Sequence, residues 1–190
     1  MGRGCLGLPH RCRPRFLTVS QAADRLVVEA QIGRPLRAES EVVSRCHLEL
    51  PVVVRVPPLL DDGTPFPTLF WLTCPLARQR IGRLESSGAV KRLEAKTGSD
   101  AEFGAALETA HRVYREARDS LLPPGADPAP TGGVGGSETG VKCLHAHYAH
   151  TRAGGENPVG ELVQDWIEPL DCAVACVAEG RRNPEWVGTP

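Results

Sequence analysis

Apolar residues spaced three and four positions apart predict an opening helix that follows a capping box at residues 18–21 and ends at Gly33. Two β-branched runs come next, at residues 41–46 and 52–56, and they favour an antiparallel pair of strands. We place Pro51 in the connection between them, because proline cannot donate to a strand ladder.

An apolar run over residues 66–73 alternates poorly between apolar and polar positions and therefore predicts a third, buried strand. Cys74-Pro75 ends this strand and begins a helix, since proline is favoured at the first helical position. Gly88 ends that helix, and a shorter helical piece covers about residues 89–96.

The longest predicted helix starts at a second capping box, residues 99–102, and runs to about residue 122. Its apolar stripe, which we expect to pack on the domain's own sheet, comprises Phe103, Leu107, Ala110, Tyr114, Ala117 and Leu121. Residues 123–140 are rich in Pro and Gly and predict a flexible loop. A helix rich in Cys and His follows, and a last helix begins at Asn157-Pro158 and is interrupted by Pro169.

This order of elements predicts an α+β fold in which a small antiparallel sheet of about three strands packs against four to six helices. With 190 residues the chain has the size of one domain. We predict a disordered basic leader at residues 1–17, a single domain at residues 18–179 that contains the 123–140 loop, and a tail at residues 180–190.

Charge and composition exclude several classes of function. The chain has 22 basic and 23 acidic residues, so no overall field predicts binding to nucleic acid or to a membrane. The basic start lacks the apolar segment of a signal peptide, and no apolar run is long enough to span a bilayer. We therefore expect a cytoplasmic protein. Of its seven cysteines, we assign no function to Cys5 and Cys12.

The chemistry concentrates in one segment that holds Cys143, His145, His147 and His150 within eight positions. On a regular helix, residues 143, 147 and 150 share one face and His145 points away. One metal ion can then take Cys143 with His147, or His147 with His150, but not all three, because seven residues advance about 10.5 Å. If the helix begins only after the cysteine, Cys143 and His145 form the pair instead.

A zinc site needs at least one further ligand from elsewhere in the chain. We expect Cys74, which lies where a strand gives way to a helix whose N-terminus would favour a thiolate. Cys46 is the next candidate and His47 a more distant one. Zinc is the cofactor that this ligand set predicts, whereas a Cys74-Pro75 dipeptide is too short a signal to predict haem. Cys172 and Cys176 lie four positions apart and could share a helix face, and small apolar core residues explain them as well as a redox role does.

The glycine-rich loop before this segment fails the P-loop pattern, because Val141 precedes Lys142 and a cysteine follows where Ser or Thr is required. A weaker expectation is that Gly136, Gly140 and Lys142 hold a carboxylate or phosphate at the start of the helix. A flexible linker explains the same residues.

Two blocks of the chain resemble a bacterial family catalogued as domain of unknown function 501. The first block, residues 54–85, contains the sequences DGTPFPTL and LTCP, and the second, residues 133–160, contains KCLH and NPVG. The resemblance extends over about residues 25–165. The family has no assigned activity, so the match implies kinship without a mechanism.

The resemblance also bears on the candidate ligands. Family members carry Cys or His at the position of Cys74, an exchange expected of a metal ligand. They keep the equivalents of Cys143, His145 and His150, whereas His147 occurs in only some of them. The resemblance therefore makes His145 a stronger candidate ligand than its position on the helix indicates. The chain departs from the family near Cys46, where it lacks the glycine of a short Cys-x-x-Gly-x-Pro knuckle.

Three functions fit these features. The first is a metal-binding protein, with zinc either structural or, where one position stays open, active in the hydrolysis of a small anionic substrate. The second is a non-enzymatic adaptor or regulator in which the metal braces a surface for a protein partner. The third is a thiol-based redox or nucleophilic enzyme that uses Cys74 or Cys143. The sequence identifies no catalytic residue.

Overall fold

The computed structural model describes residues 19–188, and the predicted leader at residues 1–17 lies outside them. Within this range the chain forms six α-helices, a three-stranded antiparallel sheet and a separate two-stranded sheet. The predicted α+β fold with a small sheet is confirmed.

The larger sheet consists of β1 (Glu41–Arg45), β2 (Pro51–Arg55) and β3 (Phe70–Leu72), with β2 in the centre. Both pairings are antiparallel, and Val53 of β2 faces Leu72 of β3. The central strand is buried at its first four positions, as expected of a strand that is covered on both faces.

Two details of the strand prediction are wrong. Pro51 is the first residue of β2 and pairs with Arg45, because a proline at a strand start gives up only one ladder donor. Its carbonyl still accepts a hydrogen bond of 2.9 Å from Nε2 of Gln31. The third strand is three residues long instead of eight, since Pro65 and Pro67 interrupt the ladder before it.

The helices follow the predicted periodicity closely. They are α1 (Val19–Ile32), α2 (Pro75–Ser86), α3 (Ala89–Ser99), α4 (Ala101–Asp119), α5 (Leu144–Arg152) and α6 (Pro158–Ile167). Gly33 adopts a φ of 74° directly after α1, a left-handed conformation that glycine takes at low cost. The N-cap of α4 is Asp100, whose carboxylate accepts the N–H of Phe103 at 3.0 Å.

Helix α5 lies at the centre of the packing, in contact with α6, β3, α2 and β2. The main core joins it to residues of the sheet and of four other helices, among them Val52, Leu76, Ile81, Leu107, Leu144, Tyr148 and Val163. Helix α4 packs mainly on α3 and α6, and it contacts the sheet through Tyr114, whose ring lies edge-on to Phe70 of β3. Ala117 and Leu121, at the end of its predicted stripe, are exposed. Burial therefore fixes α5 against its neighbours, which positions the polar side chains it carries.

The last part of the described chain returns to α1. Strands β4 (Val177–Ala178) and β5 (Arg181–Arg182) pair as a short hairpin that contacts this helix. No helix in residues 19–188 combines the length and the apolar character needed to cross a membrane.

Candidate metal centre

The start of α5 determines how its polar side chains are distributed. Cys143 is the N-cap, with an extended backbone (φ −141°, ψ 110°), and the helix begins at Leu144. The arrangement in which the helix starts only after the cysteine is therefore the one observed. In that arrangement Cys143 and His145 come together, while His147 and His150 turn to the opposite side.

A carboxylate from α2 completes this group. Oε1 of Glu85 accepts the N–H of Leu144 at 2.8 Å and lies 3.2 Å from Nδ1 of His145. A carboxylate is favoured at this place because the first N–H groups of a helix are unpaired and carry partial positive charge. Glu85 therefore fixes the start of α5 and faces His145 at the same time.

The ligand atoms of Glu85, Cys143 and His145 all lie within 4.8 Å of one another. In the part of the chain that the structure describes, no other group of three His, Cys or acidic residues is as close. Nε2 of His145 lies 3.3 Å from the carbonyl oxygen of Arg78, which is two turns before Glu85 on α2. All three residues are half-buried.

The electrostatics of the group favour charged forms. Burial lowers the pKa of His145, but the neighbouring Cys143 and Glu85 outweigh it, and the net shift is upward. Burial raises the pKa of Cys143, but the imidazole beside it outweighs that effect, and the net shift is downward. A cysteine sulfur, a carboxylate oxygen and an imidazole nitrogen thus meet at a place that suits a cation.

The group opens into a groove of about 300 Å³ between β3 and the start of α5. Phe70 and Trp71 form part of its apolar wall, and Arg78 lies at its edge. Arg78 is exposed, and its guanidinium has no hydrogen-bond or ion-pair partner among residues 19–188. A cavity of this size holds a small molecule.

His147 and His150 belong to a different, fully buried network. The Nδ2 amide of Asn157 lies 3.0 Å from Nδ1 of His147 and 3.3 Å from Nδ1 of His150, while its Oδ1 accepts the N–H of Gly160 at 2.9 Å. Oδ1 of Asn157 also lies 3.2 Å from Nδ1 of His147, so that nitrogen can accept from the amide N–H or donate to the amide oxygen, whereas Nδ1 of His150 accepts from the amide N–H. Nε2 of His147 has no partner.

Burial keeps both imidazoles neutral. It lowers the pKa of His147 to about 3 and that of His150 to about 4. His111, which is also buried and has a lowered pKa, stands edge-on to His147, with 5.7 Å between the ring centroids. His150 is stacked on Phe70. These rings join α5 to its neighbours as a polar part of the core.

The remaining predicted residues lie elsewhere. Cys74 and Cys46 line a small cavity at the other end of α2 and do not join Cys143. The predicted anion site at Gly136, Gly140 and Lys142 stays a prediction. Several N–H groups of this loop donate within the protein: Gly133 to Ser137, Val134 to His111, Gly136 to Gly133, and Val141 to Glu94.

Sequence reasoning missed three residues, namely Glu85, His111 and Asn157. Glu85 lies on a helix that is far from Cys143 in the sequence, at a separation of 58 residues. Only its position two turns after Arg78 on the same helix face indicates that these two residues contribute to one site. Asn157 was recognised as a helix start, which it is, but its amide serves the imidazoles as well. His111 lies next to Ala110 of the predicted apolar stripe, and a single histidine within a long helix carries no signal of its own.

Comparison with known proteins gives one match. Residues 42–165, more than half of the chain, match the family described as "Protein of unknown function (DUF501)". No curated protein and no solved structure gives a significant match. The matched segment includes Glu85, Cys143 and His145 together with the histidine network. The chain therefore belongs to the DUF501 family.

Proposed function

We propose that Glu85, Cys143 and His145 hold a zinc ion with an open coordination position, and that this site hydrolyses a small anionic substrate bound in the adjoining groove. The observation that carries the proposal is the approach of three different ligand atoms to within 4.8 Å at the mouth of a cavity.

The hydrogen bonding of His145 supports a cation at this place. Both ring nitrogens face acceptors, Nε2 the carbonyl of Arg78 and Nδ1 the carboxylate of Glu85. A neutral imidazole has only one N–H, so one of these contacts needs an added proton or a metal ion. With the proton on Nε2, Nδ1 becomes the ligand and the carbonyl becomes the outer partner that ligating histidines commonly have.

The number of ligands distinguishes this site from a structural one. Structural zinc sites are closed by four protein ligands, whereas catalytic sites use three and leave one position for water or substrate. Zinc in such a site activates water for attack at neutral pH and polarises the bond that is broken. Three protein ligands beside an open groove fit the second type.

Arg78 indicates the class of substrate. Its guanidinium lies at the edge of the groove without a partner in the described chain and can pair with two oxygens of a carboxylate or phosphate. Phe70 and Trp71 would contact the apolar part of the molecule. We therefore infer a small phosphate or carboxylate ester as substrate, with Arg78 as its binding residue.

Metal content and ester hydrolysis test the proposal together. We expect that Glu85→Gln and Cys143→Ser each lower zinc affinity at least tenfold and abolish hydrolysis, because each removes one of three ligands. Glu138→Gln is the matched control, since Glu138 is an exposed carboxylate that pairs with Arg115. Arg78→Gln should keep the metal and raise KM for anionic esters by about tenfold, as expected for the loss of one charge-assisted pair.

Two outcomes would contradict the proposal. One is equal zinc affinity in the wild type, Glu85→Gln and Cys143→Ser. The other is a zinc-loaded wild type that hydrolyses no member of a panel of small phosphate and carboxylate esters.

A second function is favoured by the contact between Cys143 and His145. A cysteine at a helix N-terminus beside an imidazole that a carboxylate faces has the arrangement of an activated thiol nucleophile. In that case an alkylating agent reacts with Cys143 of the metal-free protein faster than with free cysteine at neutral pH, and Glu85→Gln slows this reaction. If zinc protects Cys143 from alkylation, and chelation restores the reactivity of the thiol but leaves the protein without enzymatic activity, the zinc proposal is favoured.

A further inference from the structure

Four cysteines from distant parts of the chain line one small cavity. Cys46 follows β1, Cys74 precedes α2, and Cys172 and Cys176 lie between α6 and the hairpin. The cavity has a volume of about 10 Å³, which is room for one atom of the size of a water molecule. These four are all the cysteines of residues 19–188 except Cys143.

Donors from two other segments point at the sulfurs. Nε2 of Gln31 lies 3.5 Å from Sγ of Cys176, and the indole N–H of Trp186 donates to Sγ of Cys172 at 3.4 Å. Gln31 is buried, and its Oε1 has no hydrogen-bond partner. N–H groups directed at sulfur stabilise thiolates, and such outer partners accompany metal ligands.

Core packing explains each cysteine alone but not their convergence. Cys74 and Cys176 are buried, and the segments that carry the four cysteines are far apart in the sequence. A neutral thiol gains little from an N–H donor, whereas a thiolate on a metal ion gains much more. Cys46 and Cys172 are only half-buried, which leaves an entry path for an ion.

We propose that Cys46, Cys74, Cys172 and Cys176 form a four-thiolate zinc site that fastens the C-terminal segment to the body of the domain. Sulfur ligands select soft ions, and four of them in tetrahedral geometry are typical of structural zinc. One zinc ion replaces four thiol protons, which are released to solvent, and no oxidant or reductant takes part. This site is independent of the proposed function at Glu85, Cys143 and His145.

Binding should draw the ligands together. In the structure no three of these sulfurs lie within 4.8 Å of one another, whereas ligands on one zinc are about 3.8 Å apart. Cys74 is held at the start of a helix, but Cys172 and Cys176 lie in an irregular stretch that can move towards it. The segment after residue 168 lies beyond the family match, so zinc would join it to the matched part.

The test measures zinc bound per full-length chain after purification under reducing conditions with zinc. We expect the Cys172→Ser/Cys176→Ser double variant to bind one zinc fewer than the wild type. Cys5→Ser/Cys12→Ser is the matched control, which changes the number of thiols equally and should keep the wild-type content. Cys143→Ser tests the other site: it loses one zinc if the proposed function is right and none if it is wrong, and neither result affects the loss expected here.

A spectroscopic measurement covers the case in which the double variant fails to fold. Cobalt added to the Cys143→Ser chain, in which the other proposed site has no thiolate, should give thiolate-to-metal absorption of about four times the intensity of a single thiolate, since the intensity scales with the number of bound sulfurs. Limited proteolysis should cut the C-terminal segment at least tenfold faster after chelation. The proposal is overturned by wild-type zinc content in a folded double variant, by cobalt absorption from one thiolate only, or by disulfides among these cysteines in the reduced preparation.

Discussion

Acidification from pH 7 to pH 5 should destabilise this protein strongly because of the two neutral imidazoles at its centre. His147 and His150 are buried, and their pKa values of about 3 and about 4 lie well below the ordinary value of 6.5. In the unfolded chain both rings bind a proton as the pH falls through 6.5. In the folded chain they do not until the pH approaches 4, so the unfolded state gains protons and stability is lost across this window.

The magnitude follows from the distance between pH 6.5 and pH 5. Each pH unit is worth about 1.4 kcal/mol for a group that titrates only in the unfolded state, so each ring costs about 2 kcal/mol and the pair about 4 kcal/mol at pH 5. A domain of this size has a free energy of unfolding of about 5–15 kcal/mol. His111, with a lowered pKa, adds in the same direction.

Other groups do not produce this loss. His145 has a raised pKa, so its contribution is fully present below pH 6.5 and is lost only as the pH rises through its folded value. Asp62, Asp100 and Asp171 have lowered pKa values, and their contributions are lost below about pH 4, the unfolded carboxyl value.

Urea denaturation at pH 7, 6 and 5 measures the effect, with His150→Phe as the control. Phenylalanine fills the place between the rings of Phe70 and Tyr114 and does not titrate. The variant should be less stable at pH 7, but it should lose about 2 kcal/mol less than the wild type between pH 7 and pH 5. Zinc release at low pH affects both proteins equally, so its contribution cancels in the comparison. Parallel pH profiles of the two proteins would refute the reasoning.

Two further changes test the packing around this centre. Gly155→Ala should lower the free energy of unfolding by about 3 kcal/mol, because the new Cβ would lie 2.0 Å from Nε2 of His150. Gly82→Ala is the control and should be neutral or stabilising, since its Cβ would have nothing within 4 Å. The denaturation midpoints of both variants measure the contrast. Tyr114→Phe should cost about 2 kcal/mol, since the buried N–H of Leu69 loses the hydroxyl that accepts it at 2.6 Å; a loss below about 0.5 kcal/mol would contradict this.

Helices and their order could be predicted from the sequence because helical periodicity and end signals are local. The stops at Gly33 and Gly88 and the start at Pro75 agree with the structure, since each depends on a few neighbouring residues. The third strand was predicted too long because an apolar run shows burial, not pairing. The hairpin at the end of the described chain has strands of two residues each, too short for any periodicity.

The candidate metal centre was only half predictable. Cys143 and His145 stand close in sequence, and the chain could show that they pair if the helix begins after the cysteine. Their partner Glu85 comes from another helix, and nothing local marks one glutamate of α2 as a ligand. The same limit applies to Cys46 and Cys74 with Cys172 and Cys176, which meet only through the path of the C-terminal segment.

The division of chemistry between the two sides of α5 follows from helical geometry once its first residue is known. Successive residues turn by about 100°, so His147 is rotated by about 200° from His145, while His150 lies only about 60° from His147. One side therefore carries the imidazole that meets α2 and the groove, and the other carries the two that enter the core. Burial keeps the core pair neutral, and Asn157 contacts both rings at Nδ1. Histidine therefore serves core packing on one face of α5, while His145 on the other face is available to a cation.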